Sequence, residues 1–444
     1  MVQTAHLIWG FDPKVVATAI VVVCYAILFS EKLNRAVVAL LGACLMIFSG
    51  ILTQATALQG IDFNTIALLV GMMTIVGISE KSGMFQFVAI WGVQRVKANP
   101  RGLLLVLALV TAVFSAFLDN VTTVLLIAPV TFKITQKLDI NPYPYLILEI
   151  FASNIGGTAT LIGDPPNILI GSALNLSFMD FVYELTPIVV LTMGALILTF
   201  DLIYSRKIQT TLRHQVEVMR IKAADSITDW SLLKKSLFVL FMVIGGFISA
   251  EHLHIANGTI AIFGAAVLLL LYTLGTSHSD RDHKVESVFG VVDWTTIFFF
   301  SGLFVIVYGL EETGVLKLLG QMFVDLTDGS IQKATLLIVW VSAILSSAID
   351  NIPFVATMIP MIKSMEADMG GREAMMPVWW ALSLGACFGG NGTLIGASAN
   401  VIVAGMAQRQ GCPINFIGFL KWSIPVMLGS VALATGYLYI QYFL

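Results

Sequence analysis

Apolar runs of about twenty residues, each long enough to cross a hydrocarbon core about 30 Å thick, recur along nearly the whole chain. In the first half they lie near 14–30, 35–53, 63–82, 145–175 and 181–205, the fourth interrupted by a Gly/Pro-rich stretch. Between the third and fourth runs, two shorter apolar pieces (102–118 and 121–138) flank Asp119 and Asn120, the pattern of a re-entrant helical hairpin over 102–138 with a polar tip. A polar stretch follows, carrying Arg206, Lys207, Arg213, Arg220, Lys222, Lys234 and Lys235. The order then repeats: runs near 232–251, 257–276 and 294–312, a hairpin over 331–366 split at Asp350 and Asn351, a broken segment at 376–408 and a last run at 416–443.

The two halves match residue by residue. A shift of 231 pairs Asp62 with Asp293, Gly71 with Gly302, Glu80 with Glu311, Gly83 with Gly314, Asp119 with Asp350, Asn120 with Asn351 and Pro129 with Pro360. A shift of 233 aligns GGTATLIGDPPN (156–167) with GGNGTLIGASAN (389–400), so a two-residue change in one connecting loop separates the halves. The expected fold is all-α and membrane-embedded, with a first repeat (1–205), a basic linker (206–231) and a second repeat (232–444). Each repeat has five crossings and one hairpin, and this odd number predicts inverted topology. With both termini outside and 206–235 in the cytoplasm, only Lys14, Lys317, Lys333, Lys363 and Arg372 of the 24 Lys and Arg fall outside, as the positive-inside rule asks. A plasma-membrane location is expected.

Composition agrees: 57% hydrophobic and 11% charged residues, against about 45–50% and about 25% in soluble domains. The opening MVQTAHLIWGFDP lacks a basic n-region and cleavage pattern, so no removable signal peptide is expected. Cys24, Cys44, Cys387 and Cys412 are scattered, which argues against disulfides and a structural metal. No cofactor is implied, and nothing resembles a nucleic-acid surface. An intramembrane hydrolase is disfavoured by the absence of HExxH, GxGD and a Ser/His pair in the apolar runs. A channel would not need two matched broken-helix motifs.

Helix breaks in lipid are tolerated where they line a cavity or are buried in protein, so matched breaks point to a transport site. Four qualify: the tips FLDN (117–120) and AIDN (348–351), and the stretches 154–167 and 389–400. Gly156, Gly157, Gly163, Gly389, Gly390 and Gly396 would let backbone amides approach a solute. Asn120, Asn154, Thr158, Thr160, Asn351, Asn391 and Thr393 are the candidate substrate ligands, with Asn167 and Asn400 adding amides; packing and capping are the plainer alternative for each. Asp119, Asp164 and Asp350 are costly in mid-bilayer, about 3 kcal/mol each, and are candidates for proton or cation coupling, the alternative being a structural partner for a freed amide. Asp164 has no acidic counterpart, since Ala397 takes its place. Glu80 and Glu311 read as helix termini, His252, His254, His278 and His283 as loop residues, and the dispersed Met and Phe as lipid-facing filler. Cys387 could offer a thiolate to a soft metalloid or simply be a small buried side chain.

At FLDNVTTVLLIAPVT, NIGGTATLIGDPPNILIG, AIDNIPFVATMIPM and FGGNGTLIGASANVIVAG the chain resembles the ion transporter superfamily, the branch that groups ArsB/NhaD-type permeases with the melanosomal P protein. The resemblance covers nearly the whole chain. It implies a scaffold domain from the early crossings and a transport domain from the hairpins and broken helices, with Asp119, Asn120, Asn154, Thr158, Asp350, Asn351, Asn391 and Thr393 in the site. It further implies proton-driven efflux of arsenite or antimonite; sodium/proton antiport and organic anion carriage are the alternatives. A homodimer is the family expectation, and docking of a cytoplasmic ATPase subunit on the linker stays open. The citrate-like reading is marked down because neither tip carries Ser-Asn-Thr and no Arg or Lys is expected at the midplane.

Overall fold

The computed structural model describes residues 10–444 except 31, 205, 206 and 277. The opening nine residues and Arg206 of the linker lie outside the described residues. Among those described there are 21 α-helices, one short 3-10 turn and no strand. The first half holds α1 (Pro13–Ser30), α2 (Arg35–Phe48), α3 (Gln54–Gln59), α4 (Phe63–Glu80), α5 (Met84–Arg95), α6 (Pro100–Phe117), α7 (Asn120–Leu138), α8 (Tyr143–Gly157), α9 (Pro165–Leu174) and α10 (Phe178–Tyr204). After α11 (Leu212–Met219) and the turn Ala223–Ser226 come α12 (Trp230–Leu253), α13 (Asn257–Thr273), α14 (His278–Phe289), α15 (Trp294–Glu312), α16 (Val315–Leu326), α17 (Ile331–Ala348), α18 (Asn351–Met365), α19 (Met376–Gly389), α20 (Ser398–Arg409) and α21 (Phe416–Phe443). Ten helices thus recur in the same order, and nine described helices are long and apolar enough to cross a membrane.

The paired residues mark the joints of this repeat. Asp62 and Asp293 are N-caps of α4 and α15, accepting from the backbone N–H of Thr65 and Thr296 respectively. Gly83 and Gly314 have φ of +80° and +75° and start α5 and α16, a left-handed conformation that favours glycine. At Gly71 a Cβ would come within 2.6 Å of the Ala261 backbone, and at Gly302 within 2.6 Å of the Ala39 backbone. These are the two crossings where α4 packs on α13 and α15 on α2. Other contacts between the halves are reciprocal too: α7 meets α20 as α18 meets α9. Within each half, α6 packs on α8 and α17 on α19.

α8 and α19 are apolar on almost every side and buried along nearly their full length, as an all-round apolar helix must be. α1, α10, α12 and α21 bury one stripe and leave residues such as Leu198, Phe241 and Ile440 exposed to the surroundings that a membrane fills with lipid.

Three readings are corrected. The short helices α5 and α16 were not foreseen, because twelve residues are too few to cross a membrane and resemble a connecting stretch; of the two, only α16 has a distinct apolar face. His252 lies in the last turn of α12 with His254 as its C-cap, and His278 and His283 belong to α14, so none sits in an open loop. Phenylalanine is not mainly filler for the lipid face: Phe85, Phe151, Phe181, Phe200, Phe300 and Phe419 are fully buried, several in ring pairs such as Phe151–Phe419.

Candidate transport site

Each hairpin turns at one extended residue, Leu118 (φ −124°) or Ile349 (φ −125°), which stops the first arm before the aspartate starts the second. Asp119 caps α7, accepting from Thr122 N at 2.8 Å and from the Thr122 hydroxyl. Asp350 caps α18, accepting from Ile352 N at 3.1 Å. The neighbouring asparagines do different work. Both are buried and reach Asp164 Oδ1: Asn120 Nδ2 at 3.5 Å and Asn351 Nδ2 at 3.2 Å. Asp164 is itself fully buried, at the N-cap position of α9, but caps nothing with its side chain. Its counterpart Ala397 has nearly the same extended backbone. The two tips therefore converge on one carboxyl that only the first half supplies.

Behind this junction, Asn154 Nδ2 donates to Asn391 Oδ1 and Asn400 Oδ1, both at 3.0 Å, while Asn120 Nδ2 lies 3.4 Å from Asn154 Oδ1. Asn167 donates to the carbonyls of Thr158 and Thr160, and Asn400 to those of Gly390 and Thr393, so each amide holds its own helix break closed. Among the described residues, Asp164 Oδ2 and Asn391 Nδ2 are buried without a hydrogen-bond partner.

The candidate threonines serve the backbone. Thr160 donates to Ala116 O and Thr393 to Ser347 O, the carbonyls freed where the first hairpin arms end, and Thr158 donates to Asn154 O in its own helix. Ser115 and Ser346, unforeseen, repeat the stitch by donating to Ser153 O and Ala386 O, both at 2.6 Å. The glycines permit contact of backbone with backbone. A Cβ on Gly156 would meet Ala112 at 2.5 Å, one on Gly389 would meet Ala343 at 2.6 Å, and one on Gly163 would meet Ser115 O at 2.3 Å. A Cβ on Gly157 or Gly396 would also lie close to backbone, at 2.6 Å from Gly163 O and 2.9 Å from Gly390 O respectively, whereas one on Gly390 has more room, its nearest neighbours being at 3.3 Å.

A cavity of 520 Å³, within the range of about 300–1,000 Å³ typical of small-molecule sites, opens beside both tips. Of the candidates, Asp119, Asn120, Asp164 and Asn351 line it; Asp350 lines an adjoining 350 Å³ cavity. Asn154, Thr158, Thr160, Asn391 and Thr393 are not among its walls. Cys387 is buried behind it, its Sγ 3.8 Å from Asn167 Oδ1.

Arg35 also lines both cavities, a cation at the end of a crossing rather than one expected at the midplane. It is the first residue of α2, and in sequence it reads as the edge of a crossing. The packing of α2 on α15 swings it over the cavity instead, where Nη2 donates to Thr296 Oγ1 at 2.8 Å and Nη1 to Ser398 Oγ at 3.0 Å. Asp350 lies 3.5 Å from Nη1 and Asp293 3.9 Å from Nη2. One side chain thus bridges α2 and α15 to the second hairpin tip and the start of α20. No local pattern announces it: the partners are hundreds of residues away.

Comparison with known proteins agrees with this architecture. Residues 25–385 match the family described as citrate transporter (CitMHS). An uncharacterized transporter of Mycobacterium tuberculosis is 42% identical over 97% of this chain and 99% of its own length. The 46 kDa membrane protein of Mycobacterium leprae is 40% identical with the same coverage. The human P protein is 32% identical over 96% of this chain, which spans 60% of it. The crystal structure of the YdaH transporter of Alcanivorax borkumensis shares the fold at a TM-score of 0.61, covering 97% of this chain and 99% of that one at 14% identity. The relation to the P protein is thus found as expected, whereas the family match carries no arsenite specificity. With paired hairpins, paired helix breaks and a family match across most of its length, this chain is a multi-pass membrane transporter and belongs to the CitMHS citrate transporter family.

Proposed function

We propose that this protein carries small organic anions, di- or tricarboxylates foremost, across the plasma membrane together with protons or another cation. The observation that carries the reading is Arg35, a guanidinium on the wall of the cavity beside both hairpin tips. Its planar fork suits a carboxylate. In the structure that fork faces Asp350 and Asp293. An arriving carboxylate would compete for it, releasing the second hairpin tip from α2 and α15. The same cavity is lined by Glu80, Asp119, Asp164 and Asp293, so an anion entering against four carboxyls needs cations alongside it. Asp164, with one oxygen held by the two tip asparagines and the other unpartnered, is the carboxyl best disposed to take that cation.

In this reading the halves are inverted, both termini are outside and the linker is cytoplasmic. That topology puts Glu80, at the end of α4, and Val291, just before α15, on the cytoplasmic side, so the cavity they line would be reached from the cytoplasm. Uncharged arsenite would need no guanidinium, so it is the informative competing cargo. Purified protein in liposomes, with an imposed proton or sodium gradient, should accumulate labelled citrate or a related carboxylate. Uptake of arsenite with no carboxylate uptake would overturn the proposal, and sodium-driven proton movement alone would favour an antiporter.

A further inference from the structure

A third concavity, of 1130 Å³, lies outside the transport site, between α6, α8 and α10 on one side and α12 on the other. Its walls are apolar, including Leu105, Leu109, Val113, Val190 and Ile248, all of them exposed. Its floor reaches the first helix break at Gly156, Ala159 and Thr160. Arg101 and Asp201 stand at one end.

The other half of the molecule shows what this space requires. Thr186 Oγ1 donates to Ala159 O, and Ser423 Oγ makes the counterpart bond to Gly392 O. Four residues on from each hydroxyl are Val190 and Met427. Met427 is buried, its Sδ 2.6 Å from where a Cβ on Gly392 would sit, so the thioether covers the second break. Val190 is too short to cover the first. Gly194, one turn further on, has nothing within 4 Å of a built Cβ.

We infer that this groove is a phospholipid site, in which one acyl chain lies along α6 over the first helix break and the headgroup phosphate sits at Arg101. From Arg101 to Phe117 the helix rises about 24 Å, ample for a chain reaching from one leaflet toward the break. Asp201 engages Nε and Nη2 of Arg101 and leaves Nη1 for another anion; Lys97 is close by in sequence. In the proposed orientation this end faces the cytoplasmic leaflet, where anionic headgroups concentrate. The tail does for the first half what Met427 does for the second. It also lies at the seam between the early helix α12 and the hairpin and broken-helix elements.

Native mass spectrometry of the purified full-length protein, with phosphatidylglycerol and phosphatidylcholine as probes, tests this. Wild type should retain one phospholipid per chain and prefer the anionic one. Gly194→Phe, which projects a ring into the groove, and the milder Val190→Met should each lower the bound fraction, by about tenfold for the former, with an unchanged size-exclusion profile. Arg101→Gln should abolish the preference for phosphatidylglycerol while retaining a lipid. Absence of bound phospholipid, equal retention in all variants, or a groove filled by a second copy and emptied of it by Gly194→Phe would overturn the inference. None of these outcomes depends on which solute is carried.

Discussion

Replacing Arg35 by glutamine tests the anion reading directly. Glutamine stays polar but is shorter, ending where arginine has Nε, so the change removes the charge, the fork and the reach to Thr296 and Ser398, and Arg35→Lys, which keeps length and charge, is the control. Arg35 is 29% exposed, and its guanidinium has two hydroxyl partners and two carboxylates between 3.5 and 3.9 Å. A hydrogen bond to a charged partner contributes about 1.5–3 kcal/mol, so loss of one guanidinium–carboxylate contact should weaken apparent substrate affinity by about 10- to 150-fold. The assay is initial-rate uptake of labelled carboxylate into proteoliposomes across a wide concentration range, with protein quantified by size exclusion. The expected result is a raised KM in Arg35→Gln and partial recovery in Arg35→Lys, which restores charge without the planar fork. Should Arg35 only fasten the second hairpin to α2 and α15, Vmax and thermal stability would change while KM stayed put. That outcome, or arsenite uptake untouched by the substitution in a protein that ignores carboxylates, refutes the reasoning.

Asp164→Asn keeps an acceptor for the two tip asparagines but removes the charge, so carboxylate binding should persist while uptake stops responding to the imposed proton or sodium gradient; an unchanged response would remove Asp164 from coupling. Thr160→Val and Thr393→Val each leave a hairpin carbonyl without its donor and should lower stability by about 1–3 kcal/mol in thermal or denaturant unfolding with KM unchanged; a large KM effect would return these hydroxyls to the substrate. Lys97 and Asp328 occupy matching loops, both with positive φ. In a cysteine-free background, Lys97→Cys should react with impermeant reagents only from the cytoplasmic side and Asp328→Cys only from outside, whereas labelling from one shared side would end the inverted-repeat reading.

Much of this architecture was legible in the chain because its signals are local and carried twice. Apolar length gives the helices, Asp119 and Asp350 cap the helices that follow them, and the 231 and 233 offsets reappear as the starts of α6 and α17, α7 and α18, α8 and α19, α9 and α20. Lipid enforces that regularity, since unpaired backbone in a bilayer must be buried or line a cavity. The division of labour at the site was decided elsewhere. Asp119 and Asn120 look like one motif, yet the first caps a helix and the second reaches across to Asp164. Thr160 and Thr393 look like ligands, yet their hydroxyls are taken by carbonyls more than forty residues away. Arg35 meets Asp350 and Ser398 only because α2 packs on α15 and the second hairpin folds back toward both. Sequence by itself determined where the helices run and break. Which polar groups remain free to meet a solute depends on contacts between distant helices, and only tertiary packing satisfies some of these groups and leaves others facing a cavity.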